Sequence, residues 1–300
     1  MIWENWIGHG VILLSFVLII VFALAFKVWH KLQSRRAPLK GRKVGHLPGQ
    51  QLLKRISHHE DELLSSLNVM LVALPSMFMV WASMHLSWQE VRWGVGEWMF
   101  AFGAAAMFLW GLRGYMRHYR QREHARDGWT AEQVTGMQLN RLVAMDCLVL
   151  HDLPAEGFNI DHIVIAPRGV YAVETKSFRK PRNASERKDD PSHCVSYDGT
   201  TLRFPDFSTK EPIEQAVRQA QWLRRLLRNE IALDVPVIPA VALPGWYIDR
   251  TDDGKGADTK VFTPMGRGAE FMCWTPERIA VDQRRLIAQA LATRYPELDE

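Results

Sequence analysis

The residues best equipped for chemistry lie between Phe158 and Ser177: the carboxylates of Asp161 and Glu174 and the ammonium of Lys176. Two runs rich in Val, Ile and Tyr flank Pro167, Arg168 and Gly169. Proline presets one backbone angle and glycine permits positive φ, so the stretch is predicted to be a β-hairpin. Alternation along the second strand puts Val170, Ala172, Glu174 and Lys176 on one face and Tyr171, Val173 and Thr175 on the other. An antiparallel hairpin brings its open ends together, so Asp161 lies across from the Glu174 end. Two acids and a lysine at one sheet edge can hold a divalent cation and position a water.

This arrangement resembles the Asp…Glu-x-Lys signature of the restriction-endonuclease-like PD-(D/E)XK nucleases, and within them the NERD, or nuclease-related, domain. Asp161-His162, Gly169 and Glu174-Thr175-Lys176 match the pattern of Asp-His, an apolar strand, a Gly turn and Glu-Thr-Lys. An upstream Gly-x-x-(Gly)-Glu element is met by Gly128 to Glu132, with Ala131 where a glycine is usual. A downstream Pro-x-x-Gln is met by Pro212 to Gln215. The similarity covers roughly residues 128–244. It implies an α/β fold, a restriction-endonuclease-like mixed β-sheet flanked by helices. It also implies a site of Glu132, Asp161, Glu174, Lys176 and Gln215, with Asp161, Glu174 and the Thr175 carbonyl as metal ligands. Oxygen ligands with retained waters favour Mg²⁺ or Mn²⁺ over zinc. The function so implied is metal-dependent hydrolysis of phosphodiester bonds in DNA.

Taken singly, these charges read as a surface ion cluster, because Glu-x-Lys on a strand face is common. Two further classes stay open beside the nuclease. One is an inactive module of the same fold that binds nucleic acid without cutting it. The other is a membrane scaffold whose soluble domain recruits a protein partner.

Charge divides the 300 residues in two. Residues 1–126 carry 15 Lys and Arg against 7 Asp and Glu, and residues 127–300 carry 22 against 26. The basic excess therefore belongs to the first part, and any nucleic-acid surface on the second must be local. Ile7 to Phe26 lacks Asp, Glu, Lys and Arg and is long enough to cross a ~30 Å hydrocarbon core. Flanking Trp3, Trp6 and Trp29 suit interfacial anchors. Residues 67–86 and 93–112 read as second and third transmembrane helices, the latter with a Gly103-Ala104-Ala105-Ala106 stretch suited to close helix approach, in a homo-oligomer or against a protein partner. Basic residues crowd Lys27 to Arg55 and follow the third span, while Ser87 to Gly94 holds only Arg92. The positive-inside rule then gives a multi-pass protein of the inner (plasma) membrane, N-terminus outside and residues 127–300 in the cytoplasm. Cys147, Cys194 and Cys273 are odd in number and widely spaced, which suggests neither a disulfide framework nor a zinc site.

The remaining elements follow from local pattern. Residues 52–64 have helical apolar spacing, and His58-His59-Glu60 lacks the i, i+4 histidine pair of a zinc helix. Gly128 is expected to break the polar helix after the third span, with Thr130 and Gln133 forming a capping box for a new helix to about Leu142. Val143 to His151 reads as a strand. Phe178 to Pro191 reads as a charged loop, suited to tracking a phosphate backbone or merely solvated. Val195 to Phe204 reads as a hairpin around Asp198-Gly199. From Pro212 to about Asn229 the stripe Ile213, Ala216, Val217, Ala220, Leu223 and Leu227 predicts an amphipathic helix, with Gln215, Gln219 and Trp222 on the adjoining face. Val235 to Leu243, holding Pro236 and Pro239, is expected to be interrupted or at an edge. Asp252 to Gly256 reads as a flexible connection, Lys260 to Pro264 as a short strand, and the segment from Pro276 to Arg294 as a closing helix.

Overall fold

The computed structural model describes residues 48–84, 94–181, 191–274 and 276–295. The apolar run at 7–26 lies outside the described residues. Two helices come first, α1 (Gln50–Met84) and α2 (Val95–Asn140). Among the described residues no helix is long and apolar enough to cross a membrane. Two compact units divide the chain, one holding Met1–Arg42 and His58–Gln121, the other Lys43–Ser57 and Arg122–Glu300. In the first, Gly111 and Gly114 of α2 face Met70 and Ser66 of α1, and His59 Nδ1 lies 3.4 Å from His118 Nδ1.

Contrary to the expected break, α2 runs through Gly128. The Thr130 hydroxyl donates back to the Arg126 carbonyl at 2.9 Å instead of capping a new helix. Gly128 serves packing: a Cβ there would stand 3.0 Å from Leu52 Cδ1. The next segment also differs from expectation. A 3₁₀ turn, Arg141–Met145, ends at Asp146 in the left-handed region, and only then does β1 (Leu148–Pro154) begin.

β2 (Asn159–Ala166) and β3 (Gly169–Thr175) form the expected hairpin, with His162 opposite Val173 and Ala166 opposite Gly169. After β3, β4 (Cys194–Tyr197) pairs with β5 (Leu202–Arg203), which pairs with β6 (Ser208–Thr209). Asp198 Oδ1 accepts from the Thr200 and Thr201 amides at 3.0 and 2.8 Å, and Gly199 supplies positive φ for the turn. Helix α3 (Glu211–Ile231) has proline in its first turn and ends at Ala232 in the left-handed region. It buries Ile213, Ala216, Gln219, Ala220, Leu223 and Leu227. β7 (Val237–Ala242), β8 (Tyr247–Arg250), helix α4 (Asp252–Gly256), β9 (Lys260–Phe262) and helix α5 (Val281–Arg294) complete the order.

The larger sheet runs β1-β2-β3-β7-β9, the smaller β6-β5-β4-β8. β7 is an interior strand, parallel to both β3 and β9, despite Pro239. Alternate residues of a parallel strand bond to opposite neighbours. Pro236 and Ala242 carbonyls face β3, accepting from Val170 and Lys176 at 3.0 Å each. Pro239 therefore turns its missing N–H toward β9, where pairing starts only at Ala240. One face of the sheet packs Ile163, Ile165, Val170 and Ala172 against α3 and α5. The other packs Val164, Tyr171 and Val173 against Leu139 and Leu142. On that second face the free thiols of Cys147 and Cys273 come within 2.7 Å, Sγ to Sγ, a meeting that their sequence spacing gave no reason to expect.

The Asp252 to Gly256 segment is not a loose connection. Thr251 caps it, accepting from the Gly254 amide at 3.3 Å, and a Cβ on Gly254 would stand 2.2 Å from the Tyr197 carbonyl oxygen. Gly256 has nothing within 4 Å of that position. Gly254→Ala is accordingly expected to lower the unfolding free energy by more than about 1 kcal/mol, with Gly256→Ala near neutral. Denaturant titration of the two variants checks this, and equal stabilities would refute it.

Candidate active site

The register of the hairpin sets the geometry. His162 pairs with Val173, so one further step places Asp161 opposite Glu174 on the same face, where opposed side chains have Cβ atoms about 5 Å apart. At this end the ladder gives way to side-chain bonding. Asp161 Oδ2 accepts the Thr175 amide at 2.7 Å. The Lys176 amide bonds to the Ala242 carbonyl at 3.0 Å, which anchors the residue beyond β3 to β7.

Lys176 Nζ lies 2.8 Å from Glu174 Oε1 and donates to Gln215 Oε1 at 2.9 Å. Two of its three N–H groups are thus engaged and one remains. Gln219, one turn beyond Gln215 on α3, is almost completely buried at 1 % exposure. Its amide donates to Glu174 Oε2 at 2.5 Å and to the Asn159 carbonyl at 2.9 Å. It fixes the rotamer of Glu174 and ties both hairpin strands to the helix. The sequence placed Gln219 beside Gln215 but gave it no role in the site; its i, i+4 spacing from Gln215 was the available signal.

Glu132, Asp161, Glu174, Thr175, Lys176 and Gln215 line one open cavity of about 670 Å³. Its wall also includes Gln51, Leu52 and Arg55 of α1, which carry no sequence signature. These residues are brought there by close packing of Pro48 and Gly49 on α2: Gln133 donates to the Pro48 carbonyl, and Gly49 at positive φ sits against Trp129. His162 faces the other side of the sheet, buried, with Nδ1 2.9 Å from His151 Nδ1, and His151 Nε2 lies 3.1 Å from Asn140 Oδ1. Burial lowers the His151 pKa to about 4 and holds that of His162 well below its ordinary value. This pair fixes β1 against β2 and takes no part in the cavity.

The acids are crowded. Burial, then the charges of Glu174 and Glu132, push Asp161 well above the usual carboxylate range, against the Thr175 amide and Lys176. Burial, then Asp152 and Glu174, raise Glu132 to about 7, opposed by Lys176 and a bond to the Gly49 backbone. Lys176 is raised: burial opposes its charge, and Glu174 and Asp161 outweigh that. Among the described residues no group of three His, Cys, Asp or Glu side chains forms a metal cage. Mg²⁺ does not require one, since it is bound through one or two carboxylates and keeps several waters. The donor set of Asp161, Glu174 and the Thr175 carbonyl fits such a cation, whose charge would offset the repulsion that raises Asp161.

Residues 127–244 match the family of the nuclease-related domain, NERD. That match implies a nuclease-related function for this segment and supports nucleic acid as its partner. The nuclease-related domain thus spans α2 from Asp127 through β7, and contains every acid and amide of the cavity except those supplied by α1. No curated protein and no solved structure matches the chain.

Glu132 gives a pH dependence whose sign follows from its raised pKa. A carboxyl more basic in the fold than in the unfolded chain stabilises the fold while protonated, fully below its ordinary 4.5, and loses that contribution as pH rises through about 7. In chelator, Glu132→Gln should therefore have a higher Tm than wild type at pH 8 and an equal one at pH 4. A difference in Tm independent of pH would show that Glu132 is not held protonated by its surroundings.

Proposed function

We propose that this cavity is the active centre of a metal-dependent nuclease that hydrolyses phosphodiester bonds of DNA at the cytoplasmic face of a membrane. The observation that carries the reading is the opposition of Asp161 and Glu174 across the hairpin, with Lys176 bonded to both Glu174 and Gln215, inside a nuclease-related domain. A bound Mg²⁺ or Mn²⁺ would neutralise charge on the scissile phosphate and acidify a water. Asp161, whose Oδ1 is left over from the Thr175 bond, would hold that ion together with Glu174 and the Thr175 carbonyl. Lys176 offers its remaining N–H to the attacking water or a phosphate oxygen, and its ammonium meets charge that develops as the phosphorus is attacked. Gln215 keeps Lys176 aimed, and Gln219 keeps Glu174 aimed. Glu132 stands ready to take a proton from the water or to bond a second one.

A second reading, a module that binds nucleic acid without cutting it, is favoured by one feature: Lys176 and Gln219 already engage both oxygens of Glu174. The purified full chain, incubated with plasmid, linear and single-stranded DNA and with RNA, with and without Mg²⁺ or Mn²⁺, separates the two. Lys176→Ala should lower cleavage by about 10²-fold or more, with DNA affinity at fixed salt little changed, because one phosphate contact is a small part of the electrostatic attraction. A wild type that binds DNA yet cuts nothing with either metal would leave the binding module.

Membrane anchoring is supported by the apolar run at 7–26 and the loop charges. It is also supported by the exposure of Trp98, Met99, Phe102, Leu109 and Trp110 along α2. With the N-terminus outside, reporter fusions at Gln121 and Glu300 should both report a cytoplasmic location. An external signal at either position would overturn the orientation and remove access to cytoplasmic DNA.

A further inference from the structure

A second cavity, of about 530 Å³, lies at the other end of the hairpin. Arg168, in the turn joining β2 to β3, is one of its walls, and β3 separates it from Glu174 by roughly 20 Å at about 3.3 Å per residue. The other walls come from β8, α4, β9 and the segment up to Trp274, almost all beyond the matched residues 127–244. Its volume falls in the range of small-molecule sites.

Five cations line it, Arg168, Arg250, Lys255, Lys260 and Arg267, and no Asp or Glu does. Lys255 is paired with Asp252 at 2.9 Å and Arg267 with Glu270 at 2.7 Å. Arg168, Arg250 and Lys260 form no ion pair among the described residues. Arg250 instead donates to the Val261 carbonyl and Lys260 Nζ to the Ala257 carbonyl, both at 2.5 Å. Those bonds aim the groups without neutralising them. Burial, then the charges of Arg168 and Arg250, hold the Lys260 pKa below its ordinary value, against Asp258, as expected where cations crowd together.

Aromatic surface adjoins the charge. Trp274 is 57 % exposed and Tyr247 41 % exposed, while Phe271, also in the wall, is held edge-on by Phe262 and Tyr171 at centroid distances of 5.5 and 5.9 Å. Exposed aromatic faces beside uncompensated guanidinium and ammonium groups are the two halves of recognition for a ligand that joins a planar ring to a phosphate. We infer that this cavity binds a nucleotide, its phosphate held by Arg168, Arg250 and Lys260 and its base stacked on Trp274 or Tyr247. The nucleotide is either free or one unit of a nucleic-acid strand. This site is separate from the acid cavity and does not depend on the nuclease reading.

Calorimetry on the full chain in chelator, which withholds cations from the acid cavity, tests the inference. The probes are adenosine monophosphate, adenosine, inorganic phosphate and a short oligodeoxyadenylate. The monophosphate should bind more tightly than adenosine or phosphate. The paired change Arg168→Gln with Lys260→Gln should weaken it by about tenfold or more, and Trp274→Ala, at an exposed position, should weaken it by about tenfold while leaving inorganic phosphate unaffected. A monophosphate that binds as tightly as the oligonucleotide identifies free nucleotide as the ligand. Tighter binding of the oligonucleotide, with the same dependence on both changes, identifies a strand. The inference is overturned if neither nucleotide probe binds, if phosphate or adenosine alone binds as tightly as the monophosphate, or if neither change alters affinity.

Discussion

Two carboxylates directly opposed across an antiparallel ladder repel each other, and the hairpin of β2 and β3 places Asp161 and Glu174 in that relation. The fold around them is arranged to make this tolerable. Asp161 takes a backbone amide from Thr175, and Glu174 takes the Lys176 ammonium on one oxygen and the Gln219 amide on the other. Even so, burial and mutual repulsion leave Asp161 and Glu132 well above the usual carboxylate range. A fold optimised for stability alone would not bring the two hairpin acids and Glu132 of α2 to one partly buried site. Such crowding is what marks the cavity as a candidate functional site.

Beyond the hairpin's own Thr175 amide and Lys176 ammonium, the compensation depends on partners from elsewhere in the chain. Gln215 and Gln219 reach the hairpin only because the apolar stripe of α3 is buried on the face that carries Val170 and Ala172. Lys176 is held at the end of β3 because β7 runs parallel beside it and receives its amide at Ala242. Glu132 approaches from the opposite side on α2, with Gly49 bonded to its carboxylate. Loss of α3 packing would therefore remove the Gln215 and Gln219 bonds that hold Lys176 and Glu174.

The two ends of the hairpin differ in sign. At the open end acids predominate, while the turn end carries Arg168 in a wall of cations with few acidic partners. The small sheet and α4 supply most of that second wall, and their docking is exact enough that Gly254 touches the Tyr197 carbonyl. The same short connections that complete the sheet at β9 thus create a concave basic and aromatic surface.

What the sequence determined by itself is what local chemistry controls. The hairpin is legible in its alternation and turn, the Asp198-Gly199 turn in its residue types, and α3 in its stripe; alternation puts Asp161, Glu174 and Lys176 at one end of the hairpin, while their roles and the place of Glu132 came from the family resemblance. Composition also distinguished the basic first part from the rest. The tertiary structure decided whatever depends on distant neighbours. Gly128 and Thr130 look like a helix boundary, yet α2 continues because Leu52 packs where a Cβ would be and the hydroxyl turns back on Arg126. Pro239 looks like an edge residue, yet β7 is interior because the missing donor points to the side where β9 has not yet begun. The bond of Gln219 to Glu174, the approach of Cys147 to Cys273 and the meeting of Arg168 and Lys260 in one cavity wall were not written in any local pattern. Each brings together residues 45 to 126 positions apart, and sequence periodicity carries no information about which faces will meet across such distances.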